Sequence, residues 1–151
     1  MKSIVIITAF LLVVGCAGRS EKKENFIPDI TVKYVQDMDP NTFWPDKKLK
    51  EKFELYWKLR WSGKFEDAFK IESPYFQEMV SIPRYRTYIK KNEEGLIVTL
   101  NKNEQETERL HVVHCSFQIG NNQVDIADWW IYVGNEWYHV IRDRLVFPDE
   151  S

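Results

Sequence analysis

The sequence predicts an α+β domain in which helices come first and pack on one side of an antiparallel sheet. Three observations carry that expectation. Apolar residues recur at spacings of three and four between Leu49 and Phe69, which is the helical period. Beyond Pro83 the period drops to two across five successive segments. Within that run Gly134-Asn135 separates two segments by only two residues, with glycine at the first central position of a tight hairpin.

Each element has a local reason. Asp46 can cap "KKLKEKFELYWKLRW", where Leu49, Phe53, Tyr56, Trp57, Arg60 and Trp61 draw one stripe, and Ser62-Gly63 stops the helix. "KFEDAFKI" repeats the pattern briefly through Phe65, Ala68 and Phe69. Ser73-Pro74 supplies a cap and a proline at the first helical position for "YFQEMV". The expected strands are "RYRTYIKK", "GLIVTLNK", "ERLHVVHCSFQI", "QVDIADWWIYV" and "EWYHVIRDRLVF", joined by "NEEG", "NKNEQET", "GNN" and "GN". Upstream, "ITVKYV" alternates like a short strand, whereas "DMDPNTFWP", with Pro40 and Pro45, reads as irregular.

The N-terminus is of another kind. One charge at Lys2 precedes an apolar run from Ile4 to Val14 whose single polar residue is Thr8. A membrane-spanning helix needs about 20 residues, so this run is too short to cross; its anatomy is that of a secretory signal. Val13-Val14-Gly15-Cys16 resembles the lipobox of bacterial lipoproteins. The resemblance implies cleavage before Cys16, acylation of its thiol, and attachment to the membrane through palmitate-like chains. Ala17, where inner-membrane retention would place Asp, implies the outer membrane. The expected division is a signal peptide over 1–15, a lipidated cysteine with a flexible tether and irregular segment over 16–45, a domain over 46–147 and a tail over 148–151.

Composition narrows the partners. Removing residues 1–15 takes away one charge, leaving 20 basic against 23 acidic residues. No basic patch appears, which argues against nucleic acid. With Cys16 acylated, Cys115 is left as the lone thiol, set among apolar neighbours and expected to be buried and inert. Six Trp, seven Tyr and nine Phe are more rings than a small core needs, so some are candidates for binding.

Two stretches, "YWKLRWSGKFEDAFKI" and "DWWIYVGNEWYHVIRD", resemble the nuclear transport factor 2-like superfamily, also called SnoaL-like or cystatin-like. The resemblance implies that the helices pack into a strongly curved, cone-shaped antiparallel sheet, with Asp128, Trp130, Trp137 and Ile141 on the face lining the cone. Enzymes of that superfamily place an Asp and a His inside as base and acid. Carried over, this makes Asp128 the base candidate with His114 or His139 as partner. The superfamily also holds many non-enzymes, so fold does not fix function.

Pairing outward from the Gly134-Asn135 turn puts Tyr132 opposite Trp137, Trp130 opposite His139 and Asp128 opposite Ile141 on one face. Ile131 with Tyr138, and Trp129 with Val140, fall on the other. Both faces are apolar, and only one can pack on the helices. Trp129, Trp130, Trp137 and Tyr138 are therefore the candidates for holding a ligand or partner. His111 and His114, three apart on a strand, point to opposite faces and cannot clamp one metal. No metal-binding, phosphate-binding or nucleophile-elbow motif is present, and no cofactor is expected. The sequence reads as a lipid-anchored envelope protein that binds without catalysis, its partner a second copy, another envelope protein or a small apolar ligand. The alternative is a small pocket enzyme, an isomerase, dehydratase or hydrolase, built on Asp128 with a His.

Overall fold

A computed structural model describes residues 29–89 and 94–142. The signal sequence, Cys16 and the 148–151 tail lie outside them. The chain orders as β1 (Ile30–Tyr34), α1 (Pro40–Phe43), α2 (Lys47–Trp61), α3 (Phe65–Phe69), α4 (Pro74–Met79), α5 (Ile82–Tyr88), β2 (Leu96–Thr107), β3 (Leu110–Ile119), β4 (Asn122–Val133) and β5 (Glu136–Val140). It is an α+β fold whose five-stranded sheet, ordered β1 to β5, curls into a half-barrel around the helices.

The sheet is mixed, which corrects the expectation of a wholly antiparallel one. β1 pairs with β2 in parallel, Ile30 opposite Leu96 through Tyr34 opposite Leu100. The helices form the crossover that a parallel connection requires. β2 to β5 are antiparallel neighbours. Irregularities between Leu100 and Lys102, and between Gln105 and Thr107, each insert an unpaired residue into β2 and bend it. The expected domain start at 46 leaves out β1 and α1, which belong to the fold: Val32 and Tyr34 pack on the core, and Phe43 and Trp44 are part of it.

Three other expectations change. The first five residues of "RYRTYIKK", Arg84 to Tyr88, are the bulk of α5 rather than a strand, because Pro83 opens a helix and the buried Tyr85 points into the core. "NKNEQET", expected to be a connector, continues β2, and the turn falls at Glu108 and Arg109 instead. Within "DMDPNTFWP", expected to be irregular, Asp39 caps the short helix α1 with Pro40 at its first position. The caps of α2 and the last hairpin form as expected. Asp46 Oδ1 accepts from the Leu49 amide at 2.7 Å and caps α2. At its far end Gly63, with φ of 77°, closes a Schellman turn in which Gly63 N donates to Arg60 O and Lys64 N to Leu59 O. The β4–β5 register is the one read from the turn, and both Gly134 and Asn135 take positive φ, the I′ form.

The core lies between the concave sheet face and α2. Leu49, Phe53, Tyr56 and Trp57 from the α2 stripe meet Trp130, Phe117, Val98 and Leu100 from the sheet. Truncating a ring such as Phe53, which is fully buried, costs about 3–5 kcal/mol in comparable cores. Trp44, Trp57, Trp61, Trp130 and Trp137 each donate their indole N–H to an oxygen, so these indoles are buried without an orphan donor.

Candidate functional site

At the concave face the sheet carries Asp128 on β4 and His139 on β5, placed side by side because Trp130 and His139 are cross-strand partners. Their side chains meet: His139 Nε2 is 2.8 Å from Asp128 Oδ1. The other ring nitrogen, Nδ1, is 2.7 Å from Glu72 Oε2. Glu72 sits between α3 and α4, and main-chain pairing puts it there. Ser73 N donates to His139 O and His139 N donates to Ile71 O, each at 2.8 Å, so this short segment covers the open edge of β5.

Every carboxylate oxygen in the cluster has a donor. Asp128 Oδ2 accepts from the Trp57 indole at 3.0 Å and the Trp130 indole at 2.8 Å. Glu72 Oε1 accepts from the Tyr56 and Tyr85 hydroxyls, both at 2.7 Å. Arg60 donates to the Tyr56 hydroxyl at 3.1 Å, with its guanidinium 4.9 Å from the Trp57 ring centre. The Tyr56 ring stacks on the imidazole at 4.1 Å. Glu72, Asp128 and His139 expose 0 %, 3 % and 4 % of their surface.

Burial by itself would push the His139 imidazole down, but Glu72 and then Asp128 outweigh it and raise it to about 9. His139 is therefore an imidazolium at neutral pH, donating at both nitrogens. Burial lifts the Tyr56 phenol well above its usual value, and burial with Glu72 lifts Tyr85. Burial likewise pushes the Cys115 thiol up, consistent with an inert core cysteine.

The remaining expected residues separate. His114 is on the convex face, where Nε2 meets Glu104 Oε2 at 2.7 Å, while its neighbour Val113 pairs with Asp128. It cannot partner Asp128; His139 alone does. His111 lies on the concave face, 3.0 Å from Asn103 Oδ1 and edge-on to Trp137. Among the described residues no group of His, Cys, Asp and Glu could hold a metal ion. Trp130 and Trp137 are buried, the latter donating to the α2 cap Asp46 at 3.0 Å, so they fill the concavity rather than line a free surface. Trp129 and Tyr138 are half-buried on the convex face, and Arg142 lies 3.5 Å from the Trp129 ring centre. The four candidate rings thus divide between two faces, as the pairing read from the turn places them.

Beside the cluster lies a cavity of about 460 Å³, reached by Arg60, Ile126, Asp128, His139, Ile141 and Arg142. A second, of about 350 Å³, adjoins it and is lined by Phe117, Ile119 and Val124, sharing Trp57, Arg60 and Ile126 with the first. Both volumes fall within the range of small-molecule sites. Glu72, Tyr85 and the polar use of Tyr56 escape a reading of the sequence. Arg60 carried one signal, a charge within an apolar helical stripe.

No protein-family model matches the chain, and no curated protein matches it.

Proposed function

We propose that the chain is a cell-envelope lipoprotein, anchored through acylated Cys16, whose domain binds a small ligand without transforming it. The observation that carries the reading is that every ring nitrogen and carboxylate oxygen of the buried cluster is engaged within the protein, beside a cavity of about 460 Å³. His139 donates at both nitrogens, and all four oxygens of Asp128 and Glu72 accept from protein donors. Such a cluster sets the shape of the cavity wall: the imidazolium has no lone pair, and each carboxylate oxygen is already held by a donor of the fold. A general base must be free to take a proton within hydrogen-bond reach, and a ring protonated at both nitrogens is not. The nuclear transport factor 2-like resemblance is compatible with this role, since that superfamily includes binding modules.

The second reading, a pocket enzyme using Asp128 with His139, draws on their 2.8 Å contact. Two variants separate the readings. Ile126→Trp fills the cavity and abolishes uptake of N-phenyl-1-naphthylamine, a neutral apolar fluorophore, by the full-length chain. Asp128→Asn keeps that uptake, and it keeps any cellular phenotype of the gene while the protein remains folded. A folded Asp128→Asn protein with a null phenotype would overturn the binding reading in favour of catalysis.

A further inference from the structure

We infer that the paired cavities take an amphiphile with an apolar body and a single anionic head group, and that Arg60 receives the head. This rests on the binding reading above and names the class of ligand. The two cavities adjoin through Trp57, Arg60 and Ile126, and their walls are otherwise mostly apolar, with Phe117, Ile119 and Ile141 prominent. At roughly 30 Å³ per water-sized group, the larger holds about 15 such groups, enough for a two- or three-ring body or a folded chain.

The charges are arranged for an anion. Among the described residues Glu72 and Asp128 are offset by the His139 imidazolium and by Arg60, so no net negative charge opposes an anion at the Arg60 guanidinium. The Arg142 guanidinium stacks instead on Trp129 of the convex face. Among the described residues the only carboxylate lining either cavity is Asp128, and its oxygens already accept from His139, Trp57 and Trp130. Among the described residues no carboxylate pairs with Arg60. A guanidinium has five N–H donors, and the one bond described, to the Tyr56 hydroxyl, leaves a planar fork that fits a carboxylate, phosphate or sulfonate. Packing over the Trp57 ring orients that fork at the junction of the two cavities.

The test uses two fluorophores with one ring system. Anilinonaphthalenesulfonate carries a sulfonate, and N-phenyl-1-naphthylamine lacks it. With the full-length chain carrying Cys16→Ser, the sulfonate binds at one site, about tenfold tighter than the neutral probe, as a charge-assisted pair permits. Arg60→Met, which keeps the alkyl packing, removes that advantage and leaves the neutral probe within about twofold. Arg60→Lys, which keeps the charge but not the planar fork, lowers sulfonate affinity by about threefold and decides the matter if Arg60→Met does not fold. If the neutral probe binds as tightly as the sulfonate, or if both arginine variants leave the sulfonate unchanged, the head-group assignment is overturned while the binding cavity stands. If neither probe binds, the cavity reading falls with it.

Discussion

Asp128 on β4 and His139 on β5 are joined side chain to side chain at 2.8 Å, with 3 % and 4 % of their surface exposed. The same imidazole reaches Glu72, so one ring ties two strands to the segment ahead of α4. Removing one partner of a buried ion pair leaves the other charge uncompensated, which costs about 3–5 kcal/mol. Asp128→Asn keeps the shape and an acceptor for one indole but leaves His139⁺ with a single carboxylate. The expected loss is about 3 kcal/mol in urea unfolding, with the near-ultraviolet tryptophan signal of the native state retained. A loss below about 1 kcal/mol would mean the pair holds little of the fold together.

The pH dependence of stability follows from the same ring. His139 moves from 6.5 to about 9 on folding. A group whose folded value is raised contributes stability that is complete below the unfolded value and disappears as pH climbs through the folded one. The contribution is therefore full below about pH 6.5 and declines toward pH 9. Its size is about 3 kcal/mol, taking about 1.4 kcal/mol for each unit. Urea midpoints measured from about pH 6 to about pH 9.5, before unfolded tyrosines ionise near 10, should fall across that interval. His139→Gln should flatten the curve. A wild-type protein equally stable at both ends would show that the imidazole is neutral in the fold.

Tyr85 tests the other end of the cluster. Its hydroxyl donates to Glu72 Oε1 at 2.7 Å from α5, and Tyr56 donates to the same oxygen. A hydrogen bond to a charged group contributes about 1.5–3 kcal/mol. Tyr85→Phe removes one donor and nothing of the ring, so a loss of about 2 kcal/mol is expected, with probe uptake unaffected. Tyr56→Phe should cost more, because its oxygen also receives Arg60. Equal costs for the two variants would remove Arg60 from the account.

What the sequence disclosed and what it withheld have physical causes. The β4–β5 register was legible because a two-residue turn and a period of two leave one pairing that keeps Trp130 inside. That register brought Asp128 and His139 to one face on paper. The α2 stripe and its caps were equally local. Glu72 was hidden because it belongs to no periodic element; main-chain bonds to β5, far along the chain, put it in place. "RYRTYIKK" alternates like a strand, yet its buried residues, Tyr85 and Ile89, lie four apart, and the tyrosine reaches Glu72 from a helix. Tertiary contact outweighed local pattern there. β1 read as a strand, but its parallel partner lies beyond all the helices, and no turn signal announces such a pairing.

The anchor is tested at Cys16. Among the described residues no helix is long and apolar enough to cross a membrane. On the lipoprotein reading, attachment then depends on acyl chains at one residue, each methylene contributing about 0.8 kcal/mol on burial. A single chain holds a protein only reversibly, and two or three hold it firmly. Cells fed an alkyne-tagged fatty acid should label the wild-type chain, and its N-terminal peptide should begin at Cys16 and carry the mass of the added chains. Cys16→Ser should lose the label, the added mass and cleavage after Gly15 together. A serine variant still labelled, or still cut at that bond, would place the attachment elsewhere. A wild-type chain without label would remove the anchor and leave the cavity predictions standing on the domain alone.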